Sequence, residues 1–405
     1  MFANLSLCQL KECAADTNQA WVCAGSKKPG KIFFTMHTTQ SLKGQLMKIA
    51  VGMSGGVDSA MVAALLHQSG HQVVGVSMLT WKHSLCCSFE DVTQARLLCR
   101  QLGFKHFIID LSEDFRQQIV EPYIQGRLNG CTPNPCPQCN RDLKLGAMWQ
   151  RLQQRLKAEA GAELLATGHY VRLAADPISR RLSLWRARDQ KRDQSYMLWR
   201  LSQEQLQYCL FPLGEYLKPQ LRELAADLGL GQLAHKPDSQ DLCFLTPDPA
   251  SFWQREAPEI LPGPIVDAET SQVLGQHQGL PFYTLGQRRG LKLKDGQRRY
   301  VQSIQPECNT LVVSRQPPAE FLQLQLNAVN YLSVESAELG SLSEQFVQVR
   351  LHGDLHPARW LADPIDSDRA RVIFHGGLPP VAAGQSVVCY TPQGRLLAGG
   401  LLAKA

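Results

Sequence analysis

The sequence predicts an α/β protein: a parallel sheet with helices on both faces, followed by two smaller β-rich modules. Three observations carry this. Short β-rich runs alternate with helical ones from Lys48 to about residue 245, and a glycine-rich turn joins the first run to the first helix. Beyond about residue 250 the texture changes to short strands punctuated by proline and glycine.

Taken in order, residues 1–46 lack apolar periodicity and mix Gly, Lys, Thr and Ser, the texture of a poorly ordered extension. They contain no Arg and do contain Glu12 and Asp16, unlike an organellar transit peptide. Met47 suits the start of the folded protein, either because the assigned start lies too far upstream or because a real tail precedes it. Strands are expected at Lys48 to Met53, Gln72 to Met78, Lys105 to Asp110 and Leu164 to Thr167, with helices near Ser59 to Gln68 and Glu90 to Leu102. The stripe Leu221, Leu224, Leu228 and Leu230 reads as core. Gly263 to Val266 and Tyr300 to Ile304 belong to a central β-rich module. Gln345 to Leu351, Arg369 to Phe374 and Ser386 to Tyr390 read as a small antiparallel barrel or sandwich. The expected division is an extension over 1–46, a nucleotide-binding domain over 47–245, a central domain over 246–312 and a C-terminal barrel over 313–405.

The chain has 405 residues, 44% hydrophobic and 19% charged, which fits a soluble globular protein of two or three domains. No apolar run approaches the roughly 20 residues that cross a bilayer. A net charge of +6 suits a polyanionic partner without requiring one. Thirteen cysteines without the regular framework of a small secreted domain point to reduced thiols in the cytoplasm. Most of them, including Cys99, Cys209, Cys308 and Cys389, read as small buried hydrophobes.

The sharpest local signal is Ser54-Gly55-Gly56-Val57-Asp58-Ser59, directly after a predicted strand and before a predicted helix. Glycines there let backbone amides close on phosphate oxygens, two serines add hydroxyls, and the helix N-terminus contributes its dipole. The turn lacks the Gly-Lys-Ser/Thr ending of a Walker A loop and the Gly-x-Gly-x-x-Gly spacing of dinucleotide binders. It matches the signature of the ATP-pyrophosphatase, or PP-loop, superfamily. That resemblance implies cleavage between the α- and β-phosphates of ATP, AMP placed on a substrate oxygen, and Asp58 helping to hold Mg2+.

Adenylation serves amidation as well as thiolation, and the cysteines discriminate. Cys131 to Lys144 is a proline-rich turn leading into a helix, with Cys139 near the helix N-terminus, where a thiol pKa falls. Cys243 follows far downstream in the polar run Lys236 to Phe244. Two such thiols can divide labour, one carrying a persulfide and the other resolving it as a disulfide.

With these segments the chain resembles the bacterial tRNA-specific 2-thiouridylases. The resemblance rests on Gly52 to Ser59, Thr132 to Asn140, Ala166 to Tyr170, Arg192 to Tyr196, Lys236 to Phe244 and Tyr283 to Arg288. It implies a PP-loop fold of the adenine nucleotide α-hydrolase type, a small central domain and a C-terminal β-barrel. It also implies a tRNA-uridine 2-sulfurtransferase that adenylates the C2 oxygen of the wobble uridine, position 34, then inserts sulfur and releases AMP and pyrophosphate. The implied partners are transfer RNAs for Lys, Glu and Gln and a cysteine desulfurase or sulfur-relay protein, with no membrane. Cys139 is then the nucleophile and Cys243 the persulfide carrier. Gly52, Met53, Ser54, Gly55, Gly56, Val57, Asp58, Ser59, Met78 and Gly168 contact ATP. Asn134, Pro135 and Cys136 contact the target base. Arg192, Asp193, Gln194, Arg350 and Leu351 contact tRNA.

Two departures keep an alternative open: relatives often carry Asp at position 136 and Arg at 131, where this chain has cysteine. Cys136, Cys139 and Cys243 together suit a [4Fe-4S] cluster with an open iron; the neighbouring pair Cys86 and Cys87 has the wrong spacing for zinc. His169 reads as a general base or as a packing residue, and Arg141 and Lys144 as phosphate contacts or a solvated face. Tyr283 to Arg289 reads as an RNA contact or a domain joint. The rival functions are a PP-loop amidating ligase and a non-catalytic RNA-binding protein.

Overall fold

In the computed structural model the described residues are 46–81, 89–156, 161–176, 179–230, 242–245, 249–293 and 296–404. The expected extension therefore lies outside them except for residue 46, as do Lys236 to Asp241 and the pair Cys86 and Cys87.

Strands β1 (Lys48–Gly52), β2 (Gln72–Leu79), β3 (Lys105–Asp110), β4 (Leu164–Ala166) and β7 (Cys209–Leu210) form a parallel sheet in the order β3-β2-β1-β4-β7. Ile49, Ala50 and Val51 are buried, which is why this run reads as continuous apolar residues rather than alternating ones. Helix α1 (Val57–Gln68) buries nearly every residue from Val57 to Leu66, as a helix that is apolar all round must. Helix α2 (Phe89–Gln101) is amphipathic and buries Val92, Ala95, Leu98 and Cys99.

The strand order reverses between β1 and β4, because the chain first winds outward through β2 and β3 and then returns to the other side of β1. Ligands of such sheets bind beyond the carboxyl ends of the strands at this crevice. The turn at Ser54 and the segment Thr167-Gly168-His169 follow β1 and β4 there.

An antiparallel hairpin, β5 (Val171–Ala175) with β6 (Leu182–Arg186), leaves the sheet immediately after this crevice. A second sheet follows in the order β10-β11-β8-β9, made of β8 (Gly263–Asp267), β9 (Val273–His277), β10 (Tyr300–Gln305) and β11 (Thr310–Ser314). Its core is Ile265, Leu280, Tyr283, Leu291, Val301, Leu311 and Val313.

The C-terminal strands are β12 (Phe321–Tyr331), β13 (Phe346–Gln348), β14 (His356–Ala362), β15 (Ala370–Leu378), β16 (Ser386–Tyr390) and β17 (Leu396–Leu402). They close into a barrel in the order β12-β15-β14-β13-β16-β17, which leaves no sheet edge unpaired. The barrel seats on the first domain through buried aromatics. Trp199 Nε1 donates to Ser386 Oγ at 3.0 Å, and Tyr196 Oη donates to the Ser386 carbonyl at 2.7 Å.

Cys99, Cys209 and Cys389 are buried as expected, but Cys308 is exposed, in a tight turn between β10 and β11. Excluding it from chemistry did not make it core. Leu221 and Leu230 are buried, while Leu224 and Leu228 are half-buried.

Candidate active site

The nucleotide turn is held by its own residues and by the neighbouring strand. The Ser54 amide donates to Ser59 Oγ at 3.2 Å, the two serine hydroxyls are 3.3 Å apart, and Ser59 Oγ donates to the Gly56 carbonyl at 3.0 Å. The Met53 amide donates to the Val76 carbonyl at 2.7 Å, and Ser77 Oγ returns a 2.7 Å bond to the Met53 carbonyl. Gly55 has φ of +70°, and a Cβ there would lie 2.7 Å from the Asp91 carbonyl oxygen, so this position needs glycine on both counts. β1 and β2 pair Gly52 with Val76, two residues before the buried Met78 at the same end of the sheet. The start of α1, whose N-cap Gly56 makes no side-chain cap, is the kind of helix terminus that binds anionic phosphate.

Gly168 closes the other wall. A Cβ at that residue would lie 3.2 Å from Asp58 Cβ and 3.3 Å from the Ser59 nitrogen. Asp58 is tied down: Lys218 Nζ lies 2.8 Å from each carboxylate oxygen, and Tyr170 Oη donates to Oδ1 at 2.9 Å. The Lys218 ammonium bridges both oxygens of Asp58, so the acidic residue of the turn sits in an ion pair at the start of α1. Thr167 Oγ1 and His169 Nδ1 are 2.8 Å apart, and the His169 ring meets Phe211 edge-on. Burial, reinforced by the nearby Lys144 charge, lowers the His169 pKa to about 3.

Lys144 arrives on the cysteine-bearing helix. That helix starts at Cys136 rather than Cys139: Cys136–Gln138 form a first turn, Cys139–Ala147 continue as a π-helix, and Met148–Leu156 revert to α. Cys136 is therefore the first helical residue, half-buried, with its amide donating to Asn134 Oδ1 at 3.4 Å. Cys139 lies one turn in and is buried. Farther along, Met148 Cε comes within 4.0 Å of the place a Gly52 Cβ would occupy.

The proline-rich turn before Cys136 is clamped by remote segments. The Thr132 amide donates to the Ala383 carbonyl at 2.8 Å and the Asn134 amide to the Gly384 carbonyl at 3.2 Å. The buried Arg127 guanidinium donates to Thr132 Oγ1 at 2.9 Å, Thr284 Oγ1 at 3.1 Å, the Tyr283 carbonyl at 3.0 Å and the Pro281 carbonyl. Tyr283 and Thr284 thus belong to a domain joint.

Cys243 is half-buried. With Leu242 and Leu245 it packs on the hydrophobic cluster that contains Cys139, and the adjoining Phe244 ring meets Phe115 and Tyr123 edge-on. Among the described residues no cysteines are bridged. Nor do His, Cys, Asp or Glu side chains among the described residues gather into a three-ligand metal site. No helix among the described residues is long and apolar enough to cross a membrane.

Comparison with known proteins bears on this arrangement directly. A family model described as "tRNA methyl transferase HUP domain" matches residues 47–247, and one described as "tRNA methyl transferase PRC-barrel domain" matches 250–315. "tRNA-specific 2-thiouridylase MnmA" of Chloroflexus aggregans is 41% identical over 369 residues, covering 89% of this chain and 99% of that protein. The protein of the same name from Roseiflexus castenholzii is 38% identical over 378 residues, covering 88% and 98%. That of Salinibacter ruber is 38% identical over 368 residues, covering 87% and 93%. The chain belongs to the tRNA-specific 2-thiouridylase family.

In this thiouridylase-family chain the segment expected to meet tRNA is mostly turned inward. Asp193 is buried, accepting from Ser195 Oγ and the Ala187 amide at 2.8 Å each. Gln194 Oε1 accepts from the Tyr170 amide at 3.0 Å. Arg192 is half-buried and the adjacent Lys191 exposed. Arg350 is exposed, donating to the Pro380 carbonyl at 2.7 Å, and Leu351 is half-buried on the cluster that holds Cys139. Arg127 and Lys218 were not singled out from the sequence, and Tyr170 only as the end of the segment Ala166 to Tyr170; all three are buried polar residues whose partners lie far away in the chain.

Proposed function

We propose that this thiouridylase-family chain replaces the C2 oxygen of the wobble uridine, position 34, with sulfur, using ATP. The observation that carries the reading is spatial. The helix that begins at Cys136 and bears Cys139 runs down to the nucleotide turn, with Lys144 beside His169 and Met148 against Gly52.

The uridine is splayed from the anticodon loop into the crevice, as chemistry on a base requires, with Asn134, Pro135 and Cys136 at its mouth. Its C2 oxygen attacks the α-phosphorus of ATP held at Gly52 to Ser59, Met78 and Gly168. The O–Pα bond forms, the Pα–O–Pβ bridge breaks and pyrophosphate leaves. A persulfide on Cys243, loaded by a cysteine desulfurase or relay protein, supplies the sulfur. Either its terminal sulfur attacks C2 and the Cys139 thiolate then attacks Cys243 Sγ, breaking the S–S bond and freeing the thiolated base, or the Cys139 thiolate first displaces the terminal sulfur as hydrosulfide, which then attacks C2. AMP departs with the former C2 oxygen. In both variants a Cys139–Cys243 disulfide results, and a thiol reductant returns two electrons. Residues 47–245 act as the catalytic domain, 246–312 as a central domain and 313–405 as the barrel, with Arg192, Arg350 and Leu351 on the tRNA side. The substrates are cytoplasmic transfer RNAs for Lys, Glu and Gln.

Cys243→Ala is expected to lower thiolation by at least about a thousandfold while tRNA-dependent pyrophosphate release stays measurable. Thiolation at the wild-type rate in that variant would refute the assignment. An amidating ligase would survive thiol alkylation, and a non-catalytic RNA-binding protein would release no pyrophosphate.

A further inference from the structure

Asp58 carries the acidic position of the nucleotide turn, and the structure seats an ammonium on it. Lys218 reaches across 160 residues of sequence to do so, with Nζ 2.8 Å from both oxygens. Its side chain is 5% exposed, its Nζ lies 5.6 Å from the Tyr170 ring centroid, and its own amide donates to Asp189 Oδ2 at 3.0 Å. Burying an ammonium is costly unless its partner is well placed. Here the partner lies in the first turn of α1, where an aspartate is already favoured by the helix dipole and needs no lysine for stability. What the lysine adds at that spot is an ammonium at the first turn of α1, the end of the helix that favours phosphate.

We propose that Lys218 is the phosphate-binding cation of the turn and that Asp58 is its positioning partner. Magnesium accompanying ATP then needs no ligand from Asp58. When the Pα–O–Pβ bridge breaks, negative charge grows on the departing pyrophosphate, and the Lys218 ammonium, a compact charge on a flexible stem, offsets it. This rests on the nucleotide reading of the turn proposed above.

The test follows tRNA-dependent pyrophosphate release in the full-length chain against ATP and Mg2+ concentration, for wild type, Lys218→Met, Lys218→Arg, Asp58→Asn and the double variant Asp58→Asn/Lys218→Met. Lys218→Met is expected to lose about a hundredfold or more in kcat/KM for ATP, with Lys218→Arg recovering part of it. Asp58→Asn should fall similarly, the double variant no further than either single one, and the half-saturating Mg2+ should not move. The inference is overturned if Asp58→Asn is rescued by raised Mg2+, or if Lys218→Met keeps the wild-type kcat/KM. Thermal melts accompany each variant, and Lys218→Arg decides the matter should Lys218→Met fail to fold: a folded Arg variant with a partial loss of kcat/KM for ATP at unchanged half-saturating Mg2+ supports the role, and one whose loss is rescued by raised Mg2+ overturns it. Absence of pyrophosphate release from the wild-type chain would instead sink the nucleotide reading and leave the ion pair structural.

Discussion

The nucleotide turn and the cysteine-bearing turn are both short, and both open a helix, yet they are held in opposite ways. Apart from the Asp58 carboxylate, which Lys218 and Tyr170 hold from a distance, the first is bonded within its own β1–α1–β2 unit: Ser59 to Ser54 and Gly56, and Ser77 and Val76 to Met53. The second is held from afar, by Ala383 and Gly384 of the barrel and, through Arg127, by Pro281, Tyr283 and Thr284. The nucleotide turn can form as soon as the parallel sheet forms. The cysteine turn can form only once the second sheet and the barrel are docked. In the proposed reaction, adenylation and sulfur transfer would depend on different parts of the fold, and variants ought to separate them.

Between the two turns, the larger effect is expected at Gly55. Gly55→Ala puts a methyl 2.7 Å from the Asp91 carbonyl oxygen at a residue with φ of +70°. The turn must shift, and misplacing phosphate donors by about 1 Å costs on the order of a hundredfold. Pyrophosphate release and thiolation should fall together by about that factor. If thiolation alone fell, the turn would not be the adenylation site.

Arg127→Met probes the other region. It strands the carbonyls of Pro281 and Tyr283 and the hydroxyls of Thr132 and Thr284, a loss of about 3 kcal/mol in unfolding free energy by denaturant titration. Thiolation should drop about tenfold while pyrophosphate release per bound tRNA stays within about twofold. Equal loss of both would erase the distinction between the regions.

The same contrast governs what could be read from the sequence. Strands β1 to β4 and helices α1 and α2 were legible because each is set by local periodicity, and the turn at Ser54 because its glycines, serines and helix start are contiguous. The closed barrel was legible only as one of two options, since whether β12 meets both β15 and β17 is a matter of long-range pairing. Hairpin β5–β6 escaped because Val171 to Ala175 and Leu182 to Arg186 flank an ordinary polar loop. Lys218 and Arg127 escaped for a deeper reason. Nothing near Lys218 in sequence says that it ends on Asp58, and nothing near Arg127 says that its acceptors are at 281–284. Asp193 shows the converse, a charged residue in a promising motif whose carboxylate is consumed by Ser195 and its own neighbours.

His169 gives the smallest effect and the finest distinction, because it stands in the crevice without the properties of a proton acceptor. A base working near neutral pH needs a pKa near neutrality, and burial with Lys144 nearby holds this imidazole at about 3. It is therefore neutral throughout the working range, and its Nδ1 contact with Thr167 fits a packing role. His169→Gln should change pyrophosphate release by no more than about threefold and leave its pH profile unmoved. Stability should respond instead. The folded-state pKa lies below the ordinary value of 6.5, so on acidification the unfolded chain takes up the proton first. Below about pH 6.5 and down to about pH 3, His169 should cost the native state at most about 1.4 kcal/mol per pH unit, with no effect above that window. His71, His106 and His277 are shifted in the same direction. The reading therefore comes from the difference between wild-type and His169→Gln unfolding curves, which should open steadily below pH 6 and vanish at pH 8. Parallel curves, or an alkaline shift in the rate profile, would make His169 the general base after all.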